Sequence, residues 1–378
     1  MKRIALFLAA LALGNHLRAQ NSPPPPPSGS NTLTTDINDD GSVTFGMYAP
    51  NVDKLQINMG AKYEMEQDSA SYWSVTTEPN LPGLKFYSLV VGGVSFPDPT
   101  GKTYHEGNKV GSGIEIPEED VDFYELKDVP HGTIRTTWYK SQQTKTWRRL
   151  FVYTPPDYDE NTDQRYPVLY IQHGAGENER AWRDQGKADM ILDNLIADDK
   201  AVPMLIVMSN EYVINDIGDG YNSESTNAFF DLFKDELKND IIPFIEENFR
   251  VIPNKDSRAI TGLSMGGGIS FRIGMRNTDT FGWVGVFSTS LFRGDNGDIF
   301  DAEKQAPGIL TDPEKYNQAL NLLYISNGEQ DGSFDYTVRS VKAFQEAGLD
   351  LEFVTFPGVH EWKVWRKALH DFAPRLFR

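Results

Sequence analysis

Two rhythms of apolar and polar positions divide this chain. From residue 43 to 117 the apolar runs are short and separated by turn residues. Val43–Pro50 has strand composition and ends on a breaker, and Lys54–Asn58 alternates, with Leu55 and Ile57 on one side. Tyr72–Val75 and Leu84–Val91 follow, and Gly92-Gly93 reads as a hairpin turn before Val94–Phe96. Short strands at this spacing predict a β-sandwich. From residue 132 the rhythm changes. Gly132–Tyr139 and Trp147–Tyr153 read as two paired strands. Beyond them, Pro167–Gln172, Met204–Met208, Trp283–Phe287, Leu322–Ser326 and Leu351–Phe356 are continuous apolar runs. Helical patterns fill the intervals: Ala188–Asp199, Asn227–Asn248, Tyr336–Glu346 and Trp362–Phe372. Continuous apolar strands between helices predict a parallel sheet covered on both faces. Phe229, Phe233, Leu237, Ile241 and Ile245 recur at helical spacing and give Asn227–Asn248 an apolar stripe for that sheet.

The segments outside these two regions read differently. Lys2 and Arg3 precede an apolar run, Ile4–Gly14, and a polar stretch that contains Ala19. This is the pattern of a secretory signal peptide, and the run is shorter than the roughly 20 residues that span a bilayer. Pro23–Pro27 and Ser28-Gly29-Ser30 form a spacer that cannot build a core. Asp36–Gly41 begins like a calcium-binding loop, but Met47 occupies the position where a bidentate Glu is needed, so a polar turn is the better reading. Residues 118 to 131 are acidic and irregular, which sets the expected boundary between the two regions. The expected division is signal peptide 1–20, Pro-rich linker 21–35, sandwich 36–120 and catalytic region 121–378.

Composition narrows the function. A chain of 378 residues suits two domains. Its formal charge of −18 excludes a nucleic-acid partner on electrostatic grounds. There is no cysteine, which removes disulfides, thiol nucleophiles and thiolate metal sites. The histidines show no zinc-ligand spacing, so no metal and no other cofactor is expected. With the leader, this composition fits an exported bacterial protein, secreted or periplasmic, without a membrane anchor.

The chemistry centres on Gly262-Leu263-Ser264-Met265-Gly266. A β-like run, Arg258–Thr261, precedes it, and a helical run, Met265–Met275, follows. That is the strand–turn–helix setting of a nucleophile elbow, where the serine hydroxyl projects above a sheet and a helix N-terminus favours developing negative charge. Ligands of open α/β sheets bind beyond the C-terminal strand ends. Asp331 follows the run Leu322–Ser326 and His360 follows Leu351–Phe356 at such positions, and the chain order Ser, Asp, His is that of the α/β-hydrolases. Serine needs a base, and His360 fits because an imidazole pKa of about 6.5 permits proton transfer in both directions. Asp331 is the expected acid, with Glu329 and Asp335 as rivals. The oxyanion donors are expected to be the backbone N–H groups of Met265 and Ala175. His173, beside Ala175, is a rival base, although a His-Gly pair here more often shapes the oxyanion turn. Trp182, Tyr212, Tyr221, Phe292 and Trp362 are candidates for contact with a flat acyl group or a sugar.

Five motifs in order, QHGAGENERAW (172–182), DIIPFIEENFRV (240–251), RAITGLSMGG (258–267), YISNGEQD (324–331) and FPGVHEWKVWR (356–366), resemble the esterase-D-like members of carbohydrate esterase family 1. VTFGMYAP, YWSV, GLKFYSLVVGG and FPDPTGK, at residues 43–50, 72–75, 83–93 and 96–102, resemble a family 48 carbohydrate-binding module. Such modules are often structural partners of a catalytic domain, and Tyr48, Trp73 and Tyr87 are candidates for sugar stacking. The resemblance implies an α/β-hydrolase domain preceded by an all-β, immunoglobulin-like sandwich. It implies a feruloyl esterase that uses Ser264, His360 and Asp331 on plant cell-wall polysaccharide such as arabinoxylan. An acetylxylan esterase, or another sugar-ester hydrolase, is the alternative on the same scaffold. A catalytically dead carbohydrate-binding protein is the alternative of another class.

Overall fold

A computed structural model describes residues 32–119, 121–213, 223–289, 291 and 305–378. The expected leader lies outside these residues, as do most of the Pro-rich linker and Asp120 at the expected boundary.

The first region forms two antiparallel sheets. One has the order β1-β2-β6-β5, from β1 (Thr34–Ile37), β2 (Val43–Tyr48), β5 (Glu66–Gln67) and β6 (Tyr72–Thr76). The other has the order β4-β3-β7-β10-β9, from β3 (Leu55–Met59), β4 (Ala61–Glu64), β7 (Gly83–Val91), β9 (Thr103–Glu106) and β10 (Lys109–Ile116), and β8 (Val94–Phe96) pairs with β7. Alternation turns Val43, Phe45, Leu55, Ile57 and Leu89 inward to a shared core. Each such side chain stabilises the fold by about 1.5–3 kcal/mol when fully buried. Two of the three aromatics considered for sugar stacking belong to this core instead. Trp73 is buried with its indole N–H donating to Ala49 O at 2.9 Å, and Tyr87 is buried with its hydroxyl donating to Asp98 at 2.8 Å. Tyr48 is exposed.

The second region forms an eight-stranded sheet. Its strands are β11 (Thr133–Lys140), β12 (Trp147–Thr154), β13 (Val168–Gln172), β14 (Leu205–Met208), β15 (Arg258–Gly262), β16 (Trp283–Phe287), β17 (Leu322–Gly328) and β18 (Glu352–Phe356). The order is β11-β12-β14-β13-β15-β16-β17-β18. The sheet is mixed: β11–β12 and β12–β14 are antiparallel, and every later pairing is parallel. Every residue of β13, β14, β15 and β16 is buried, as continuous apolar runs require when helices cover both faces. The expected single helix 227–248 is interrupted. It runs Ser223–Glu236, passes through a π-helical turn at Leu237–Ile241 and resumes as Ile242–Asn248. Pro243 lies at the start of the last piece, and its missing N–H and bulky ring displace the regular hydrogen-bond ladder.

The acidic stretch after residue 117 is not a loose connection. Tyr124 is buried in the same cluster as Phe151, Trp182 and Trp365, and Asn194 donates to both Phe123 O and Glu125 O at 3.0 Å. That cluster also holds Leu84 and Tyr104 of the first region, so one apolar core crosses between the sheets. Ion pairs reinforce it. Arg366, buried in helix Trp362–Phe372, makes a two-pronged bond to Glu115 at 2.7 and 3.1 Å, and Lys363 and Lys367 both reach Glu118. Its acidic composition suggested a boundary because charges such as Glu118 look solvated until their cationic partners are placed.

Candidate active site

The elbow follows β15. Ser264 has φ 50° and ψ −116°, a strained conformation that turns the chain sharply into helix Met265–Arg276. Two close approaches require glycine. A Cβ on Gly262 would lie 2.6 Å from the Gly266 backbone, and one on Gly266 would lie 2.4 Å from His173 O. The turn is fixed by Ser264 N–H donating to Phe287 O at 2.9 Å and by the Thr289 hydroxyl donating to Ser264 O at 2.8 Å. Strain of this size persists only when the surroundings over-determine it, and these bonds do so.

His360 lies in the loop after β18, and Asp331 lies in the loop after β17. His360 Nε2 is 2.9 Å from Ser264 Oγ, and Nδ1 is 2.7 Å from Asp331 Oδ2. A carboxylate accepts only, so Nδ1 carries the proton and Nε2 is left to accept from the serine. Asp331 is buried and also accepts from the Ser333 N–H and hydroxyl, both at 2.8 Å. Burial pushes its carboxyl upward, but the hydrogen bonds from His360 and Ser333 outweigh this and hold its pKa below the ordinary value. The rivals are elsewhere: Glu329 accepts from the Thr355 hydroxyl, and Asp335 opens helix Phe334–Ala347.

The loop expected to carry an oxyanion donor follows β13. The N–H of Gly174 donates to Glu177 Oε2 at 2.9 Å, and that of Gly176 donates to the Tyr212 hydroxyl at 2.8 Å. Between them the Ala175 N–H has no partner among the described residues, and Ala175 lines the cleft with Ser264. Met265, at the first helical position, precedes the first bond of that helix, from Gly268 N–H to Ser264 O. Its N–H is therefore one of the free donors of a helix start. His173 is buried beneath this loop. Burial lowers its pKa to about 4 and raises that of Glu211 well above the carboxylate range. Glu211 Oε2 lies 3.0 Å from His173 Nε2, and His173 Nδ1 lies 2.8 Å from Gly174 O. His173 shapes the turn and makes no hydrogen bond to Ser264.

Ser264, His360 and Ala175 open into a cleft of about 790 Å³. Its apolar lining includes Leu263, Trp362 and Trp365 from the catalytic region and Leu84 and Phe86 from the first region. Met59 at the end of β3, Asn80 and Leu81 in the loop before β7, and Lys85 and Glu106 also line it. Of the aromatics expected to meet substrate, Trp362 lines the cleft. Trp182 does not: it is 1% exposed, its indole N–H donates to Gln172 O at 2.8 Å, and it packs edge-on behind Trp362 at 5.2 Å. Its bulk and its single N–H suit a place under the sheet end. Tyr212 also stands outside the lining and holds Gly176 instead. Phe292 and Tyr221 lie outside the described residues. Sequence reasoning missed Phe86, Lys85, Glu106, Glu177 and Trp365. Glu177 and Trp365 fall inside the motifs 172–182 and 356–366, which was the available signal. Lys85 and Phe86 fall inside the motif 83–93 and Glu106 falls in none, but that they reach the cleft depends on docking.

The sequence model of a family described as putative esterase matches residues 141–376. An endo-1,4-beta-xylanase/feruloyl esterase of Xylanibacter ruminicola is 33% identical over 356 residues, covering 90% of this chain and 46% of that protein. The chain thus spans about half the length of that relative. The structure of a CE1 ferulic acid esterase from Anaeromyces mucronatus, in complex with ferulic acid, is 25% identical with a TM-score of 0.58, covering 68% of this chain and 96% of that one. The enterobactin esterase of Shigella flexneri is alike in fold alone, at 13% identity and a TM-score of 0.62, over 91% of this chain and 97% of that one.

Proposed function

The chain belongs to the esterase family, and from that membership we propose that it is a serine carboxylic ester hydrolase of the feruloyl esterase type. The observation that carries the chemistry is the hydrogen-bonded chain from Ser264 Oγ through His360 to Asp331 at the floor of the cleft. In this reading the Ser264 oxygen attacks the ester carbonyl while His360 Nε2 takes its proton. Asp331 holds the ring in the tautomer that leaves Nε2 free and stabilises the imidazolium. The tetrahedral oxyanion receives the N–H groups of Met265 and Ala175, and the adjacent helix N-terminus favours its charge. His360 then protonates the departing alcohol. Water, deprotonated by the same imidazole, releases the acid from the acyl-enzyme.

Substrate is read from the cleft and the relatives. Phe86, Trp362 and Trp365 offer a hydroxycinnamoyl ring more apolar surface than an acetyl group can use. The relative from Xylanibacter ruminicola carries both xylanase and feruloyl esterase in its name, and this supports arabinoxylan as the polymer. In the same reading residues 1–20 direct export, the two early sheets are a family 48-like module, and the catalytic domain begins near residue 121. The test is release of ferulate against acetate from feruloylated and acetylated arabinoxylan, with Ser264→Ala as control. Faster acetate release moves the protein to the acetylxylan reading. No release of either, with binding retained, moves it to a carbohydrate-binding protein.

A further inference from the structure

Among the described residues the Glu177 carboxylate is the point where the oxyanion loop meets the segment that carries His360. Oε2 accepts the Gly174 N–H at 2.9 Å, one peptide before the free N–H of Ala175. Oε1 accepts Gln185 Nε2 at 2.9 Å and Trp362 Nε1 at 3.2 Å. Trp362 opens the helix that begins two residues after His360. Glu177 is 6% exposed and makes no hydrogen bond to Ser264 or His360. An isolated buried carboxylate would be costly, and three convergent donors from three segments are the arrangement that makes it tolerable.

We propose that Glu177 is the positioning residue of the oxyanion site. Its side chain fixes the His173–Gly174 peptide relative to the histidine segment and thereby sets the direction of the next peptide, so that the Ala175 N–H and the base address the same carbonyl. This rests on the esterase reading. The role is one of reach: an acceptor must stand at the distance where Oε2 meets the Gly174 N–H. An Asp side chain keeps the charge but is one methylene too short. A Gln side chain keeps the reach and can accept from Gly174 with its carbonyl oxygen. Its amide nitrogen then faces Gln185, whose Oε1 is buried without a partner and becomes available if that amide turns over. The Trp362 N–H loses its acceptor, and the turned Gln185 amide leaves its nitrogen in the unpartnered place that Oε1 held, while the Gly174 bond is kept.

The experiment compares wild type, Glu177→Asp and Glu177→Gln on p-nitrophenyl acetate and on methyl ferulate. Turnover is expressed per serine labelled to completion by a fluorophosphonate, and melting temperature is measured alongside. Glu177→Asp is expected to lose on the order of 30-fold or more in kcat, with KM within about threefold, the signature of a lost transition-state contact. Glu177→Gln is expected to stay within about fivefold of wild type. A trifluoromethyl ketone, whose hydrated adduct needs the oxyanion donors, is expected to lose affinity for the Asp variant in step with kcat, while ferulate binding holds. Wild-type kcat per labelled serine in Glu177→Asp, with only a lower melting temperature, overturns the proposal. So does a Gln variant as impaired as the Asp variant, which assigns the effect to charge. Wild-type protein that neither takes the label nor hydrolyses the ester overturns the esterase reading and this proposal with it. An active wild type with unaffected variants overturns the proposal alone.

Discussion

Asn108, in the turn between β9 and β10 of the sandwich, donates its backbone N–H to Gly176 O in the oxyanion loop at 2.8 Å. The contact leaves no room: a Cβ on Gly176 would lie 2.7 Å from Gly107 Cα. The first region therefore touches the loop that presents Ala175, besides walling the cleft with Leu84 and Phe86.

Removal of the sandwich is expected to damage catalysis. A chain beginning at residue 121 loses the Asn108 anchor, the cleft wall and the share of the common core held by Leu84 and Tyr104. Its kcat/KM on a small aryl ester is expected to fall on the order of tenfold or more, with a lower melting temperature. A boundary at residues 118 to 131, taken by itself, would let that activity survive. Survival within about twofold would restore that division. Gly176→Ala tests the contact more finely, because φ of +76° and the Gly107 backbone both oppose a side chain. A fall in kcat larger than the change in KM is expected.

Ser264→Ala is expected to fold, to resist fluorophosphonate labelling and to lose on the order of 10³-fold or more in kcat/KM. Activity within tenfold of wild type would remove Ser264 from the mechanism.

Asp331→Asn is expected to cost far more than Glu329→Gln or Asp335→Asn, on the order of 10³–10⁴-fold in kcat, because only Asp331 contacts His360 Nδ1. The same residue carries a pH dependence. Its folded pKa lies below the unfolded value, so its stabilising effect is present at neutral pH and is lost as pH falls through the folded pKa. Melting temperature below about pH 4 is therefore expected to fall more steeply in wild type than in Asp331→Asn.

Glu177 gives the opposite sign. Burial raises its pKa to about 7, opposed by the bonds from Gly174, Trp362 and Gln185 and assisted by the charge of Glu106. The neighbouring Glu211 is itself raised by burial and by Glu177. The folded protein thus binds a proton that the unfolded chain releases, and stability falls as pH rises from about 4.5 to about 7. Above that window Glu177→Gln is expected to gain stability relative to wild type, by no more than a few kcal/mol. Parallel melting curves for the two proteins from pH 4.5 to 8 would contradict this.

The aromatic residues proposed to meet the acyl ring separate by position. Phe86→Ala is expected to cost methyl ferulate several-fold more in kcat/KM than a matched aliphatic ester, since apolar burial contributes about 25 cal/mol per Å². Trp182→Phe is expected to lower stability and both activities alike, because that indole N–H serves Gln172 O behind the cleft. Equal losses for Phe86→Ala on both esters would make Phe86 scaffold.

Short-range preferences determined much of this protein. The strand–turn–helix around Ser264, the buried strands β13 to β17 and the helix Trp362–Phe372 follow from apolar rhythm and glycine placement within a few neighbouring residues. Chain order placed Ser264, Asp331 and His360 at strand ends, since parallel strands joined by helices all exit on one side. What the sequence left open was decided by contacts between distant segments. Glu329, Asp331 and Asp335 have the same chemistry, and only the turn after β17 selects the one that meets His360. Trp182 and Trp362 look alike in sequence, yet one lies behind the other. The break at Pro243 is local in cause, but the apolar stripe runs through it and hides it. Lys85 reaches Glu361 across 276 residues of chain, and no periodicity records such a pair. The wall that the sandwich gives the cleft comes from docking two surfaces, each of which can be read along the chain only as a protein exterior.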